Sequence, residues 1–275
     1  MTDTVFKLDQ RRVIAVSGSE ALSFLNRVLT CNTETLDDPG GRYGALLTPQ
    51  GKILTDLYLY KSNGAVFMDV PADTLADTVK RLTMLKLRAD AAFTARDDLS
   101  AVLSFEATME TALASFQDDT YPSPCFRAIV ETTPAIENLP SASSSGDYHL
   151  HRISARQAEF GYDFGSADVF PADINMDITP AIDFKKGCFV GQEVASRMKR
   201  KTEVRKRTLI VKAPLDIVES GTSIVAGEST IGSVTSWSNG HGLALIRLDR
   251  LQTATDAGNT PQIRETPAEI LPFSD

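Results

Sequence analysis

The sequence predicts a mixed α and β protein with two regions of different texture. Over residues 1–206 apolar residues recur partly at strand spacing and partly at helical spacing, which indicates an α/β region. Residues 207–275 contain short apolar runs at strand spacing, which predicts a small β-barrel or sandwich. The chain has 275 residues, enough for one large domain and a smaller one.

The N-terminal region begins with a strand over 13–16. Ser17 and Glu20 stand at the spacing of a capping box, so a helix is expected to begin there. Strands over 43–47 and 53–60 flank a turn that contains Pro and Gly. Next along the chain, a strand is expected over 66–70 and a helix that begins at Pro71. A strand over 102–105 and a helix over 106–116 follow. A flexible surface loop over 132–147 then leads to a strand over 148–153.

The C-terminal region is divided by turn residues into short strands. The expected strands cover 208–212, 222–225, 231–236 and 243–248. Asn239-Gly240 between the last two is a strong hairpin signal.

Composition excludes several classes of function. Apolar residues make up 42% and charged residues 23% of the chain, as in an ordinary globular protein. No apolar run reaches the roughly 18–20 residues of a membrane span, and the first residues do not resemble an export signal, so a cytoplasmic location is expected. The net charge of −8 disfavours general nucleic-acid binding.

The cysteines and histidines give little support for a metal site. Cys31, Cys125 and Cys188 are odd in number and far apart, which argues against a disulfide framework and against a protein-only zinc or cluster site. His149 and His151 would lie on one side of the expected strand. Further ligands at suitable spacing are missing, so two exposed histidines are the simpler interpretation.

Positive charge is concentrated in one segment. Residues 185–207 carry a net charge of +7, which leaves −15 for the rest of the chain. Such an island favours an anionic ligand or partner, although a solvated helix face followed by a loop is the ordinary alternative.

The same segment holds a candidate reactive thiol. A helix is expected to begin near Gly191, with Glu193 in its first turn. Cys188 would then lie just before the helix N-terminus and after Lys185 and Lys186, an environment that lowers a thiol pKa. Gly187 and Gly191 would let the backbone approach a ligand. The alternative is a buried, inert cysteine.

This segment also carries a family resemblance. Lys186-Gly-Cys-Phe-Val-Gly-Gln-Glu193 resembles the K-G-C-[FY]-x-G-Q-E motif of the YgfZ family, whose mitochondrial relatives assist iron–sulfur assembly. Residues 16–25 resemble the opening strand–helix unit of that family, and residues 45–56 resemble its A-x-L-x-P-x-G-K segment, which ends in an aspartate, here Asp56. Residues 204–207 resemble the lead into its C-terminal barrel.

The resemblance implies a fold and a cofactor. The fold would be the aminomethyltransferase ring of subdomains around a folate-binding channel, with two subdomains in residues 1–206 and the barrel in 207–275. The implied cofactor is tetrahydrofolate, in a polyglutamated form, and the implied partners are iron–sulfur enzymes or assembly proteins. The implied reactive residues are Cys188, Lys186 and Asp56. The implied folate-binding residues are Gly187, Gly191, Gln192, Glu193, Arg197, Arg205 and Arg207, the arginines meeting the tail carboxylates.

Two departures bear on catalysis. In the segment that this chain resembles, the true aminomethyltransferases have two adjacent aspartates, whereas this chain has Thr55 before Asp56. A hydroxyl cannot replace a carboxylate in handling a proton. Asp173 stands where the family has a glutamate. An accessory factor for iron–sulfur clusters is therefore the leading hypothesis. The alternatives are a tetrahydrofolate-dependent aminomethyl or one-carbon transferase and a non-catalytic interaction module.

Overall fold

Antiparallel sheets form the framework of the chain. The computed structural model describes residues 4–200 and 204–273, and these ranges contain sixteen strands and six α-helices. The strands are β1 (Val5–Lys7), β2 (Arg11–Ser17), β3 (Gly40–Leu47), β4 (Ile53–Ser62), β5 (Ala65–Pro71), β6 (Ala92–Arg96), β7 (Leu99–Ser104), β8 (Ala114–Gln117), β9 (Phe126–Glu131), β10 (Lys206–Lys212), β11 (Ser223–Ala226), β12 (Ser229–Ser238), β13 (His241–Arg247), β14 (Pro261–Ile263), β15 (Thr266–Pro267) and β16 (Glu269–Leu271). The helices are α1 (Ala21–Val28), α2 (Leu75–Leu85), α3 (Pro134–Glu137), α4 (Gly146–Ser154), α5 (Gln192–Arg200) and α6 (Leu248–Asp256).

A five-stranded sheet in the order β3-β4-β5-β2-β6 carries α1 and α2 on one face. Phe24 and Leu25 of α1 pack with Leu82 of α2 against Leu57 and Met68 of the sheet. Burial of these side chains removes the apolar stripe of each helix from water, which is the main source of stability for short helices.

The second face of this sheet packs on a four-stranded sheet in the order β1-β7-β9-β8. Along β4 the side chains alternate, so Leu57 and Leu59 face the helices while Tyr58 and Tyr60 face the second sheet. This alternation places Asp56 between the two sheets.

The third sheet is the C-terminal barrel, in the order β15-β14-β11-β12-β13-β10-β16. Its first and last strands are separated in the chain by Ala268 alone, so the sheet is nearly closed. The hairpin prediction is confirmed: Ser238 pairs with His241, and Asn239 and Gly240 have φ values of 48° and 75°, as a two-residue turn requires. Helix α6 follows directly and was missed from the sequence.

Strand pairing makes the N-terminal region α+β. All pairs within the three sheets of the described residues are antiparallel, so the alternation of strands and helices does not produce parallel βαβ units. The division into domains at residues 206 and 207 stays a prediction.

Two expected elements are wrong. Residues 106–113 are not helical, and residues 114–117 form β8. Met109 and Ala112 contact a separate apolar cluster that contains Val102 and Val130. The apolar residues that predicted a helix are therefore buried from an irregular segment. Residues 148–153 belong to helix α4, whose N-cap is the Ser145 hydroxyl, accepting from Tyr148 N at 3.2 Å.

The local signals around the first helices were also partly wrong. Ser17 ends β2 and makes no capping box, and the Glu20 carboxylate instead accepts from the Asp90 backbone N–H at 2.7 Å. Pro71 ends β5, and a 3-10 turn precedes α2. The expected loop over 132–147 contains α3, which Thr133 caps.

Candidate functional site

A buried charged chamber lies between the five-stranded and four-stranded sheets. Its open volume is about 10 Å³, roughly the room one water needs. Besides Tyr58, Tyr121 and Tyr148, its lining includes the charged residues Arg11, Asp56, Arg127, Arg152 and Glu159. Charges are rarely fully buried unless they are paired, so this concentration marks the chamber as a candidate site.

Asp56 is held in the chamber by two donors. Arg11 Nη1 donates to Asp56 Oδ1 at 3.2 Å, and the Tyr43 hydroxyl donates to Oδ2 at 3.1 Å. Arg11 also pairs with Asp69, which in turn accepts from the Tyr60 hydroxyl. Burial lowers the pKa of Arg11, but Asp69 and Asp56 outweigh it and keep that pKa well above its ordinary value.

The Arg127 side chain carries a buried donor without a partner in the described ranges. It is nearly buried, its guanidinium stacks 3.5 Å from the centre of the Tyr58 ring, and its Nε donates to Asp118 at 2.7 Å. Its Nη1 has no hydrogen-bond partner among the described residues. An unpaired buried donor costs about 1–3 kcal/mol, more when it is charged, so an acceptor on a bound ligand would complete the site.

Glu159 brings a second carboxylate to the chamber. The Tyr148 hydroxyl donates to Glu159 Oε2 at 2.9 Å, and Arg152 Nε lies 3.6 Å from the same oxygen. Burial raises the pKa of Glu159, and Arg152 only partly opposes it. The carboxyl group can therefore hold or accept a proton nearer neutral pH than an exposed glutamate.

The chamber adjoins a groove of about 580 Å³. Gln157 lines both, while Tyr43 and Asp118 line the groove and bond to Asp56 and Arg127 of the chamber. The groove has the size of a small-molecule site. Its wall includes two arginines, Arg42 and Arg156.

The predicted reactive loop is fixed by backbone contacts. Asp183 Oδ1 accepts from the backbone N–H groups of Lys185 and Lys186 at 2.7 and 3.2 Å. Lys186 Nζ donates to three backbone carbonyls where α1 ends, those of Asn26, Leu29 and Cys31, at 2.5–2.7 Å. The ammonium group thus satisfies orphan carbonyls near a helix C-terminus. Burial lowers the pKa of Lys186 to about 8, against the raising effect of Cys31 and Asp183.

The two glycines of the motif have different surroundings. Gly191 has a φ of +79°, and a Cβ there would lie 2.8 Å from the Thr48 carbonyl oxygen and 3.1 Å from Gly51 Cα. Gly51 has a φ of +80° and faces Val194 of α5. These glycines bring two backbone segments into close contact, and a ligand contact at Gly191 stays a prediction. A Cβ on Gly187 would meet nothing within 4 Å.

Cys188 differs from the other two cysteines. It is exposed, four residues before α5, whereas Cys31 and Cys125 are buried. Burial raises the pKa of Cys31 to about 11 and that of Cys125 to about 12. A cysteine reacts through its thiolate and must also be accessible, so the exposed Cys188 is the thiol that a reagent can reach.

The remaining predicted folate-binding residues lie elsewhere. Glu193 and Arg197 are exposed on α5, and half-buried Gln192 donates its backbone N–H to Phe189. Arg205 is exposed, and Arg207 forms a two-pronged ion pair with Asp177 at 2.9 and 3.0 Å. Among the described residues that line the chamber or the groove, none belongs to this set. Lys201, in the basic island, lies outside the described residues.

Thr55 and Asp173, the two positions that depart from the related enzymes, both lie outside the chamber lining. Thr55 faces away from the chamber, and its hydroxyl bonds to that of Thr74 at 2.8 Å. A carboxylate at this position would not share the chamber with Asp56. Asp173 caps its own turn, accepting from Phe170 N at 2.9 Å, and burial raises its pKa.

The histidines do not form the expected strand pair. In α4, His149 Nδ1 accepts from Arg152 Nε at 2.9 Å, and the His151 ring stacks on Phe105. Within the described ranges no cluster of three or more His, Cys, Asp or Glu side chains is arranged to hold a metal ion.

Arg11, Arg127, Glu159 and Arg156 were missed from the sequence. One signal was present: Arg127 lies among the apolar residues Phe126 and Ala128–Val130 of β9, where a charge needs a buried partner. That partner, Asp118, precedes it by nine residues across an irregular turn, so spacing alone did not pair them.

The architecture is that of the aminomethyltransferase fold. The glycine cleavage system aminomethyltransferase T from Bartonella henselae superposes with a TM-score of 0.73 over 99% of this chain and 86% of its own, at 14% identity. The family model described as the CAF17 C-terminal beta-barrel domain matches residues 205–269. The predicted fold class is confirmed.

Relatives of higher identity define the family. A protein of Pyricularia oryzae named "Iron-sulfur cluster assembly factor IBA57 homolog, mitochondrial" is 30% identical over 286 residues, which cover 90% of this chain and 72% of the relative. Its namesake in Mycosarcoma maydis is 26% identical over 93% of this chain and 67% of its own length. The chain belongs to the IBA57 homologue family. The narrower YgfZ assignment stays a prediction.

These names correct one expectation. The predicted cytoplasmic location is wrong, because the relatives are named mitochondrial. Along the described ranges, each helix is too short or too polar to cross a bilayer.

Proposed function

We propose that this protein acts in iron–sulfur cluster assembly as a tetrahydrofolate-binding factor with Cys188 as its reactive group. Its partners are iron–sulfur enzymes or assembly proteins. The family relationship supports the assembly role. The observation that carries the folate proposal is the unpaired Arg127 Nη1 in a chamber that also holds two carboxylates and adjoins the groove.

The chemistry of folate matches these groups. A pterin edge presents N–H donors beside a carbonyl oxygen, so it pairs with a carboxylate and a guanidinium together. Glu159 or Asp56 would accept from the N–H groups, and Arg127 Nη1 would donate to the carbonyl. The lining side chains would have to move apart to admit the ring edge, because the chamber has room for about one water. The groove would hold the rest of the molecule.

The glutamate tail needs cations at the outer part of the groove. Arg156 is suited to this role: its Nη2 donates to the Pro272 carbonyl at 2.6 Å, while its Nε is buried without a partner among the described residues. Contacts of Arg197, Arg205 and Arg207 with a polyglutamate tail stay a prediction, and Arg207 would have to leave Asp177 to make one.

Cys188 supplies a group suited to iron. Thiolates are the soft ligands that hold iron–sulfur clusters, and this thiol is exposed on a loop whose backbone is fixed at Asp183 and Lys186. A cluster or iron ion in transfer would be cargo, ligated in part by the partner.

Isothermal titration with tetrahydrofolate tests the folate proposal. Glu159→Gln and Arg156→Gln should each weaken binding about tenfold, which corresponds to about 1.4 kcal/mol, while the exposed Lys185→Met leaves binding unchanged. Absence of binding to the wild-type protein would overturn folate binding and favour the interaction module.

Rescue of an iron–sulfur enzyme in cells that lack the protein tests the assembly role. Cys188→Ser should abolish rescue while folding is retained. Rescue equal to that of the wild type would show that the thiol has no chemical role.

The second candidate is a tetrahydrofolate-dependent aminomethyl transferase, favoured by the fold and by Asp56 in the chamber. Since Thr55 lies on the other face of β4, its identity does not decide the matter. The purified protein should transfer no aminomethyl group with lipoyl carrier protein. Robust transfer would favour this second candidate.

A further inference from the structure

Arg152 connects the chamber to the C-terminal barrel. Its side chain extends from α4, is 2% exposed and lies beside Glu159 in the chamber lining. On the other side it reaches β12 of the barrel, where Nη2 donates to the Ser236 hydroxyl at 2.6 Å. A buried guanidinium needs an acceptor for each of its N–H donors. The acceptors around Arg152 therefore decide which of its donors remain for Glu159.

Asp163 is the main acceptor for Arg152. Its carboxylate is buried and accepts from Arg152 Nη1 at 2.6 Å. The Ser236 hydroxyl donates to the same carboxylate at 2.6 Å, so Arg152, Ser236 and Asp163 form a closed hydrogen-bonded ring. The Glu159 backbone N–H also donates to Asp163 at 2.9 Å, and the Thr235 hydroxyl does so at 2.5 Å. One carboxylate thus fixes both the guanidinium and the backbone of Glu159.

His149 accepts from the Arg152 nitrogen that lies beside Glu159. Arg152 Nε donates to His149 Nδ1 at 2.9 Å, whereas Glu159 Oε2 is 3.6 Å from the same nitrogen, beyond hydrogen-bond range. An accepting Nδ1 carries no proton, and the Ser143 carbonyl, 3.4 Å from Nε2, suits a proton on that side of the ring. Burial and the Arg152 charge lower the pKa of His149, against the raising effects of Ser143 and Asp163. The ring is therefore neutral and able to accept at neutral pH.

The donors of Arg152 are thus directed away from the Glu159 carboxylate. That carboxylate accepts from the Tyr148 hydroxyl at 2.9 Å. Burial raises its pKa, and the cations that oppose this effect are Arg152, Arg11 of β2 and Arg127 of β9. A direct Arg partner would hold the carboxylate ionised and occupy its lone pairs. With the guanidinium turned aside, Glu159 keeps lone pairs for a ligand.

We propose that three positioning residues hold the donors of Arg152 away from Glu159 and so keep the Glu159 carboxylate available to a ligand. They are His149, Asp163 and Ser236. Because Ser236 lies on β12, the barrel takes part in preparing a site that lies between the two N-terminal sheets. The inference rests on the proposed function where Glu159 meets the pterin edge. The positioning itself can be tested without a ligand.

Carbon-13 NMR of protein labelled at its glutamate carboxyl carbons tests the positioning. The Glu159 signal is assigned by its loss in Glu159→Gln, and its titration midpoint is measured without folate. His149→Phe keeps a neutral ring but removes the acceptor, so Arg152 Nε should turn to Glu159 Oε2. Asp163→Asn weakens the hold on Nη1 and removes a nearby negative charge. Each change should lower the midpoint by about one pH unit, since a direct Arg partner lowers a carboxyl pKa.

Two matched variants separate positioning from a general loosening of the fold. Ser238→Ala removes another β12 hydroxyl that bonds to α4, where it donates to the Gly146 carbonyl at 3.1 Å, and it should leave the midpoint unchanged. His149→Asn supplies an amide oxygen near the place of Nδ1 and should keep the wild-type midpoint. An unchanged midpoint in His149→Phe would overturn the proposal, as would an equal shift in Ser238→Ala. His149→Phe gives this answer even if Asp163→Asn does not fold.

Isothermal titration with tetrahydrofolate connects the positioning to the proposed function. His149→Phe should weaken binding about tenfold at neutral pH, because Arg152 then competes with the pterin N–H groups for Glu159. His149→Asn should bind like the wild type. A lowered midpoint with unchanged affinity would support the positioning and overturn the contact of Glu159 with the pterin. If the wild type binds no tetrahydrofolate, the folate function fails, and the NMR titration still decides the positioning.

Discussion

The chamber and the Cys188 loop use polar residues in opposite ways. In the chamber, side chains from both sheets, from α4 and from the segment after it converge. Their charges have ion-pair partners, although Arg127 Nη1 has no hydrogen-bond partner among the described residues. In the loop, Asp183 and Lys186 bond to backbone atoms, and Gly191 packs on another backbone segment. The Cys188 side chain is left exposed to solvent, beside the exposed Lys185 and Gly187.

This difference teaches that a recognisable motif need not be the binding site. Lys186 and Gly191 of the motif hold the backbone that presents the thiol. The groups suited to recognise a ligand are scattered along the chain and meet only in the folded protein. Each of the following measurements tests that difference between the chamber and the loop.

The largest expected effect is on thiol accessibility. Cys188 should be alkylated roughly a thousandfold faster than Cys31 or Cys125 in the native protein, because an opening free energy of about 4 kcal/mol protects a buried group by three powers of ten. Mass spectrometry of each cysteine peptide over a pH series measures the rates. Comparable rates for all three thiols would show that the loop is no more accessible than the core.

The two glycines of the motif should respond unequally to alanine. Gly191→Ala should lower the free energy of unfolding by about 2–4 kcal/mol, since it adds a Cβ at positive φ against the Thr48 carbonyl. Gly187→Ala, the matched control, should change it by less than about 0.5 kcal/mol because its surroundings are open. Urea denaturation measures both. Equal losses would contradict the packing role of Gly191.

The two lysines before Cys188 provide a second matched pair. Lys186→Met should lower the free energy of unfolding by about 2 kcal/mol because it leaves three carbonyls near the end of α1 without their donor. Lys185→Met should have little effect, since Lys185 is exposed. Thermal unfolding of both variants tests this. If the two variants were equally stable while only Lys186→Met slowed Cys188 alkylation, Lys186 would act on the thiol directly.

The smallest expected effect concerns Glu159 and pH. Burial raises its pKa, so the folded state binds this proton more tightly than the unfolded state, and the resulting stabilisation, complete at low pH, is lost as pH rises through the folded pKa. Glu159→Gln should therefore be more stable than the wild type near neutral pH, on the order of 1 kcal/mol. This gain should vanish below the ordinary glutamate pKa. A variant less stable at pH 7 would show that the carboxylate is stabilising where it lies.

Local pattern was sufficient for much of the fold. The strand pair at β3 and β4, four of the seven barrel strands (β10 to β13), the Asn239-Gly240 hairpin and the start of α5 were predicted, because each depends on apolar periodicity or on a turn residue with a required φ. The helix over 106–116 and the strand over 148–153 were wrong. In both, a short apolar pattern fits helix and strand alike, and contacts with distant residues decided the outcome.

The sequence by itself predicted the fold class, the segment around Cys188 and the barrel, since these are encoded by contiguous residues. Only the tertiary structure brought Arg11, Asp56, Arg127 and Glu159 into one chamber and turned Thr55 away from it. It also showed that Lys186 caps the end of α1. The physical reason is that burial and pairing of charges depend on which side of each strand faces the neighbouring sheet, and on partners far away in the chain.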